Sequence, residues 1–280
     1  MTAPFALRNA LRSAGANAVL IAMAAVMLLP FAWMLLIVMR SPSEIFSDPF
    51  GLPEGFGIVA DNFRNAFVTV PMARFLVNGA VVASVLLALQ LAVSVPAAYA
   101  LAKFEFSGRK LLFAAVVAAL CVPIQVPMLP IYIALAYAGA LDSYFALIFP
   151  FIFSPFAIFM LRQQFKAFPD EIIQAARLDG FSEIEILLKL IVPSARPVIA
   201  AFAVFSITAH WNDLYWPLIV VSSQDMATPP LGMLYFRDSG LGTDYGALMA
   251  GAIVTVTPVM VIFLVAQRQF IKGLTMTGLK

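Results

Sequence analysis

Cysteine and histidine are almost missing from this chain. Cys121 and His210 are the only members of their types in 280 residues. A single cysteine builds neither a disulfide framework nor a thiolate metal site. Cys121 lies in an apolar run and is expected to be a small buried hydrophobe. A single histidine excludes a multi-histidine metal centre, and there is no H-E-x-x-H pair. Charge is scarce as well: 11% of residues are Asp, Glu, Lys or Arg, against about a quarter in an ordinary soluble domain. A phosphate-binding loop is also missing. Neither Gly55-Phe56-Gly57 nor Gly240-Leu241-Gly242 is followed by the Lys and hydroxyl residue such a loop needs. No G-x-S-x-G nucleophile elbow occurs. These absences exclude a disulfide-stapled scaffold, a metallohydrolase and a self-contained ATPase. Nothing in the charge pattern points to nucleic acid.

What the chain has is apolar length. It is 62% hydrophobic, with a mean hydropathy of +0.96. A membrane span needs about 20 mainly apolar residues, and six segments meet that length, at about 15–39, 75–102, 111–139, 143–163, 197–221 and 245–267. The first begins after Arg8 and Arg12, and its uncharged run from Ser13 to Met39 exceeds a signal-peptide core of roughly 7–15 residues. It is read as an uncleaved span. The runs are continuously apolar rather than alternating, which argues against a β-barrel. The fold class is therefore an all-α integral membrane protein with six transmembrane helices in a single domain, 1–280. Asp142 is the one charged residue between the third and fourth segments, which predicts a hairpin with a short connection. Pro96, Pro123, Pro127, Pro130, Pro150, Pro155, Pro217 and Pro258 fall at membrane depth. Each removes a backbone donor and tends to kink its helix, and broken helices are tolerated where they line a cavity or pack on protein.

Charge fixes the orientation. With both termini on one side, thirteen of the seventeen Lys and Arg residues share that side; Arg40, Arg64, Arg74 and Arg237 lie opposite. The positive-inside rule puts both termini in the cytoplasm. The outer loops are instead acidic, with Glu44, Asp48, Glu54, Asp61, Asp225, Asp238 and Asp244. The longest cytoplasmic connection lies between spans four and five. It contains a stretch, QAARLDGFSEIEILLKLIVP (174–193), that is far more polar than its surroundings.

That stretch reads as helix, glycine turn, helix. Pro169 suits the first helical position, with Asp170 and Glu171 against the positive end of the dipole. Ile172, Ala175 and Ala176 recur at helical spacing and predict one face, whose small residues permit close approach by another protein. Gly180 follows where helices often end in a left-handed residue. Ser182 and Glu185 match a capping box for a second helix, which Pro193 and Pro197 are expected to break.

The same stretch resembles the cytoplasmic "EAA" motif of ABC-importer permease subunits: E-A-A, three residues, G, nine residues, I-x-L-P. Here it stands as Gln174-Ala175-Ala176, Gly180 and Leu190-Ile191-Val192-Pro193. NFRNAF (62–67), AAYALAKFEFSGRKLLF (97–113), WNDLYWPLIV (211–220) and the terminal QRQFIKGLTMTGLK (267–280) are similar to carbohydrate importers of the maltose-permease type. The resemblance covers most of the chain. It implies the type I ABC-importer permease fold in a bacterial inner membrane, and a coupling loop at 169–193. Its partners are a second permease, two ATPase subunits and an extracytoplasmic binding protein. ATP and Mg are implied only in the ATPase partners, so this chain is a non-catalytic subunit with no cofactor of its own. The ATPase-coupling residues implied are Glu171, Gln174, Ala175, Ala176, Asp179, Gly180, Glu183 and Pro193. Gly273, Gly278 and Lys280 correspond to a tail that reaches the ATPases. The loops at 41–72 and 222–244 are the implied docking places of the binding protein. Gln174 departs from the motif's Glu, and Glu171, Asp179 and Glu183 are the acidic residues left to serve the contact.

Substrate-pathway candidates are polar or aromatic groups inside spans. They are Gln90, Tyr99, Gln125, Trp211, Asn212 and Asp213, with His210 beside them. Asp213 lies about 24 Å along the fifth span at 1.5 Å per residue, near the outer interface. There Trp211, Tyr215 and Trp216 fit an aromatic belt. The absence of a deep Lys or Arg favours a neutral sugar. The alternative is a secondary transporter, which calls for inverted repeats and paired intramembrane charges. No repeat is evident, and His210 and Asp213 are the only such charges.

Overall fold

Prolines and short polar caps, more than any loss of apolarity, set the helix ends. The computed structural model describes residues 3–41, 44–47, 56–236 and 243–275, all helix and connection. Its main helices are α1 (Ala3–Val38), α2 (Glu44–Ser47), α3 (Phe56–Thr69), α4 (Met72–Lys103), α5 (Arg109–Leu120), α6 (Gln125–Tyr137), α7 (Tyr144–Ile148) and α8 (Pro155–Lys166). They continue with α9 (Asp170–Leu178), α10 (Glu183–Ile186), α11 (Val192–Ser194), α12 (Arg196–Trp211), α13 (Tyr215–Val220), α14 (Pro229–Gly232) and α15 (Tyr245–Thr275).

Three helices are long and apolar enough to cross a membrane unbroken: 14–38 of α1, α4, and 245–267 of α15. By length and composition up to six spans result when each of three bent helix pairs is taken as one, the last pair joining 183–194 to 196–211. The third span is not one helix: α5 and α6 meet at 98° across a break of four residues that holds Pro123, one of the prolines expected to kink its helix. Pro123 follows the end of α5, and a proline biases the residue before it away from helix. Cys121 stands in that break and is exposed, contrary to the expectation of a buried hydrophobe. The fourth span is α7, a 3-10 turn at Phe149–Phe151, then α8 at 41°. Ser154 restarts it, its hydroxyl accepting from the Ala157 amide at 3.2 Å, with Pro155 in the first turn. The fifth span is interrupted at 212–214, between α12 and α13.

The chain forms two compact units. One comprises 1–70 and 236–254. Within it Asn62 of α3 is buried and donates to the carbonyls of Val38 (2.9 Å) and Arg40 (3.2 Å), which closes the orphaned end of α1. The other unit comprises 71–235 and 255–280. Its axis is α4, against which α8 and α12 pack most extensively. Gly79 admits α14 against α4, because a Cβ there would stand 2.6 Å from Pro229 Cδ. Asn78, the preceding residue, is buried and donates to the carbonyls of Asp225 and Ala227, both at 2.8 Å. The α6–α7 connection is tied down by Asp142, whose φ is +53°. Its Oδ1 accepts from the amides of Ser222 and Ser223 and from the Ser223 hydroxyl at 3.0–3.1 Å. Burial opposes its charge, but these donors outweigh it and hold the carboxyl below its usual range.

Candidate functional site: the loop helices and a cavity beside Gln90

The polar stretch folds as two short helices around a left-handed turn. Pro169 lies just outside α9 rather than at its first position, and Asp170 and Glu171 occupy the first turn. Gly180 has φ +83°, as its place after the helix predicts. Ser182 and Glu185 form the full capping box: the hydroxyl accepts from the Glu185 amide, and the Glu185 carboxylate accepts from the Ser182 amide. Pro193 does not break the second helix. A π-helical turn at Leu187–Ile191 carries the chain into α11, with the Val192 amide donating to the Leu187 carbonyl five residues back. That wider turn accommodates a proline that a regular α-helix would resist. The bend comes later, at Ala195, where 183–194 and 196–211 meet at 78°.

The predicted face divides between the packed side and the open side. Ile173 and Ala176 are buried, at 2% and 7% exposure, with Ile186, Leu187 and Ile191 against Ala98, Tyr99, Leu161 and Phe165 of α4 and α8. Ile172 and Ala175 point outward. They join Leu178 (90% exposed), Ile184 (70%) and Leu188 in a ridge of exposed apolar side chains. The polar residues Gln174, Arg177 and Asp179 alternate with this ridge. An exposed apolar ridge with a polar surround is suited to contact with a protein or a membrane. Gln174 and Asp179 are exposed on the same two turns, as is Glu171.

Tyr99 and Lys103 tie the loop to α4, and Arg177 ties the two loop helices together. The Tyr99 hydroxyl donates to Glu183 Oε2 at 2.8 Å. Arg177 Nε meets Glu183 Oε1 at 2.7 Å. The Arg177 hydrogen bond, working against burial and aided by Tyr99, holds the Glu183 carboxyl below its usual range. Lys103 Nζ donates to the Phe168 carbonyl and to Asp170 Oδ1, each at 2.6 Å. Tyr99, expected on the pathway, is thus grouped with the loop. Lys103 and Arg177 were not singled out; Lys103 lies in the AAYALAKFEFSGRKLLF segment, which was.

The remaining candidates separate. Gln90 is buried and saturated: its Nε2 donates to the Phe151 carbonyl (2.8 Å) and faces His210 Nε2 (3.1 Å), and its Oε1 accepts from Ser206 (2.6 Å). Gln90 and His210 line a cavity of about 540 Å3 with Phe151, Phe153, Ser154 and Trp216. Gln125 lines a different cavity, of about 430 Å3, with Tyr132 and Tyr215. The expected aromatic belt is not formed. Trp211 and Trp216 are buried and donate to the carbonyls of Thr255 and Ala146; Tyr215 alone is exposed. Asn212 and Asp213 fall in the break. Asn212 donates back to the Thr208 carbonyl, and Asp213 Oδ1 caps α13 through the amides of Tyr215 and Trp216. Asp213 therefore has a structural partner set. Gly273 lies in α15, while Gly278 and Lys280 lie outside the described residues. The expected docking loops are described at 41, 44–47, 56–72, 222–236 and 243–244 only.

Comparison with known proteins gives one family and consistent relatives. Residues 90–275 match the model of the binding-protein-dependent transport system inner membrane component. An arabinooligosaccharides transport system permease protein, AraQ, of Halalkalibacterium halodurans is 34% identical over 243 residues, covering 86% of this chain and 85% of that one. The diacetylchitobiose uptake system permease protein NgcG of Streptomyces coelicolor is 32% identical over 256 residues, covering 90% and 84%. The fold is shared with a chain in the crystal structure of a bacterial ABC transporter involved in the import of the acidic polysaccharide alginate. The TM-score is 0.80 at 20% identity, covering 92% of this chain and 97% of that one.

Proposed function

The chain belongs to the binding-protein-dependent transport system inner membrane components, and from that premise we propose that it is one of two permeases of an ATP-driven sugar importer, coupled to ATPase subunits through 169–193. The observation that carries the coupling is the outward ridge of Ile172, Leu178, Ile184 and Leu188 beside Gln174 and Asp179. The match to this family does not favour a secondary transporter.

A loaded binding protein docks on the outer loops. ATP and Mg, held by two ATPase subunits inside, draw those subunits together. The ridge moves with its ATPase. Because Ile173, Ala176 and Ile186 are packed into the end of α4 and α8, and Tyr99, Lys103 and Arg177 add polar ties, that displacement is delivered to the spans. The bends at 121–124, 195 and 212–214 are where the bundle yields, since each lacks a continuous helical ladder. Glu171, Gln174, Ala175, Asp179 and Gly180 present or shape the ATPase contact, whereas Ala176, Glu183 and Pro193 hold the loop together from within. The tail at Gly273, Gly278 and Lys280 is a further ATPase contact. Sugar passes between this chain and the second permease, and the cavity beside Gln90 and His210 is this chain's share of the path. Aromatic faces with a few convergent polar groups suit a sugar ring. A neutral oligosaccharide is the substrate class, in keeping with the arabinooligosaccharides and diacetylchitobiose for which the two relatives are named. Both termini are cytoplasmic, as the charge asymmetry requires, and the chain is a single permease domain.

The test is a pull-down of the tagged chain from solubilised native membranes, read by mass spectrometry, beside a Gly180→Asp variant. A second permease and an ATPase are expected with the wild type, and the ATPase alone is lost from the variant. Recovery of the chain by itself, or of equal ATPase with both, overturns the proposal.

A further inference from the structure

We propose that a cavity where α4, α5, α8 and α9 converge holds the phosphate of an anionic phospholipid from the cytoplasmic leaflet. The proposal rests on the topology proposed above.

The cavity measures about 550 Å3, and its lining includes Lys103, Arg109, Lys166, Arg177, Glu105 and Asp170. Its charges do not balance. Lys103 is met by Asp170, and Arg177 by Glu183. Among the described residues Lys166 and Glu105 make no ion pair or side-chain hydrogen bond. Arg109 uses only Nη1, which donates to the Phe104 carbonyl at 2.8 Å and fixes the side chain at the rim. Arg162 stands close enough for its charge and that of Arg109 to repel. Its Nε donates to the Leu101 carbonyl, and its guanidinium stacks 3.6 Å above the Phe113 ring. Two cations of the lining, Arg109 and Lys166, are thus left against the single unpaired carboxylate of Glu105, with Arg162 adding positive charge nearby. The first turn of α5 adds Lys110 and no acid. An anion is the missing component, and a guanidinium beside an ammonium is the donor set that binds a phosphate.

The neighbourhood selects a lipid over a free ion. A second hollow, of about 380 Å3, adjoins through Glu105 and Arg109 and is walled by Phe106, Lys110 and Leu111. Phe106, Leu111 and Leu112 are large, apolar and exposed. They offer acyl chains a path beside the headgroup. Basic pockets between helix ends on the cytoplasmic side are where anionic headgroups are held. The site also lies against Gln174 and Arg177, so its occupant neutralises the surroundings of the coupling helix.

The experiment uses the whole transporter in nanodiscs of phosphatidylcholine and phosphatidylglycerol, with retained lipid read by native mass spectrometry. Wild type is expected to keep phosphatidylglycerol in preference. Arg109→Gln with Lys166→Gln is expected to weaken that retention by about tenfold or more, and Arg109→Lys with Lys166→Arg to restore it. Competing inorganic phosphate is expected to leave the lipid in place. Equal retention by the Gln double variant overturns the site; displacement by inorganic phosphate overturns the lipid assignment in favour of a free anion. Labelling of Lys110→Cys, in a Cys121→Ser background, separates this from the topology. Reaction only in inverted vesicles is expected, and reaction from the outer face overturns the leaflet whatever lipid is retained.

Discussion

The hydroxyl of Tyr99, on the last turns of α4, donates to the Glu183 carboxylate at 2.8 Å across 84 residues of sequence. Glu183 in turn receives Arg177 from α9. One carboxylate therefore joins a membrane-spanning helix to both loop helices. Tyr99→Phe deletes only the hydroxyl and keeps the edge-to-face packing on Phe104. A hydrogen bond to a charged group contributes roughly 1.5–3 kcal/mol. The variant is expected to assemble and hydrolyse ATP but to move less sugar per ATP. The ratio of sugar taken up to ATP consumed in proteoliposomes measures this, and an unchanged ratio reduces the tie to simple packing.

Gly180 tests the shape of the loop. A Cβ at Gly180 meets nothing within 4 Å, so the cost of substitution is conformational rather than steric crowding. An L-residue held in the left-handed region loses roughly 1–2 kcal/mol. ATPase recovery in the pull-down is expected to fall in the order Gly, Asn, Ala, Val, because Asn visits that region more readily than Ala, and a β-branched residue least. A flat series contradicts a required left-handed turn.

The second loop helix should resist acid. Lys189 first, then the Ser182 amide and hydroxyl, pull the Glu185 carboxyl from 4.5 to about 2. A depressed acid stabilises the folded loop fully above its unfolded pKa. That contribution is lost as pH falls from 4.5 towards 2. Protection of the Ser182 and Glu185 amides from hydrogen exchange, corrected for intrinsic rates, is expected to be level between pH 7 and pH 5 and to drop below pH 4.5. Glu185→Gln should remove the pH step. A drop already present between pH 7 and pH 5 contradicts the assignment.

Gln90 is the most heavily used polar side chain in its cavity. Gln90→Leu leaves the Phe151 carbonyl, His210 and the Ser206 hydroxyl without this partner. Each buried group left unpaired costs about 1–3 kcal/mol. The purified complex is expected to melt earlier and to transport poorly. Full transport with an unchanged melting temperature shows that water replaces the amide, and removes Gln90 from the path.

Local signals in the sequence were sufficient for local structure. Gly180 and the Ser182–Glu185 capping box act within a few residues, and both form where the spacing puts them. The six apolar runs are likewise present, since burial in lipid needs only length and composition. Pro123 and Pro127 signal a kink near 121–124, but its 98° angle and the break at 212–214 were hidden, because hydrophobic periodicity does not register a bend. Ala176 leaves the predicted face because neighbouring residues on a helix differ by about 100° of rotation, and the docking of α9 on α4 and α8 decides which of Ala175 and Ala176 is inward. The Tyr99–Glu183 and Lys103–Asp170 ties link residues 84 and 67 positions apart. No pattern in a single sequence announces such pairs. Trp211 and Trp216 matched an aromatic belt by residue type, but their indole N–H groups are used inside the fold.

The central claim is that the ridge around Leu178 touches an ATPase subunit. Leu178→Cys in a Cys121→Ser background, oxidised in native membranes, tests it most directly, with Ile173→Cys as the buried comparison. A cross-linked band containing the ATPase is expected from Leu178→Cys and not from Ile173→Cys. If Leu178→Cys gives no such band, while a bifunctional thiol-to-amine reagent also fails to join it to any ATPase, the coupling role of this loop is contradicted.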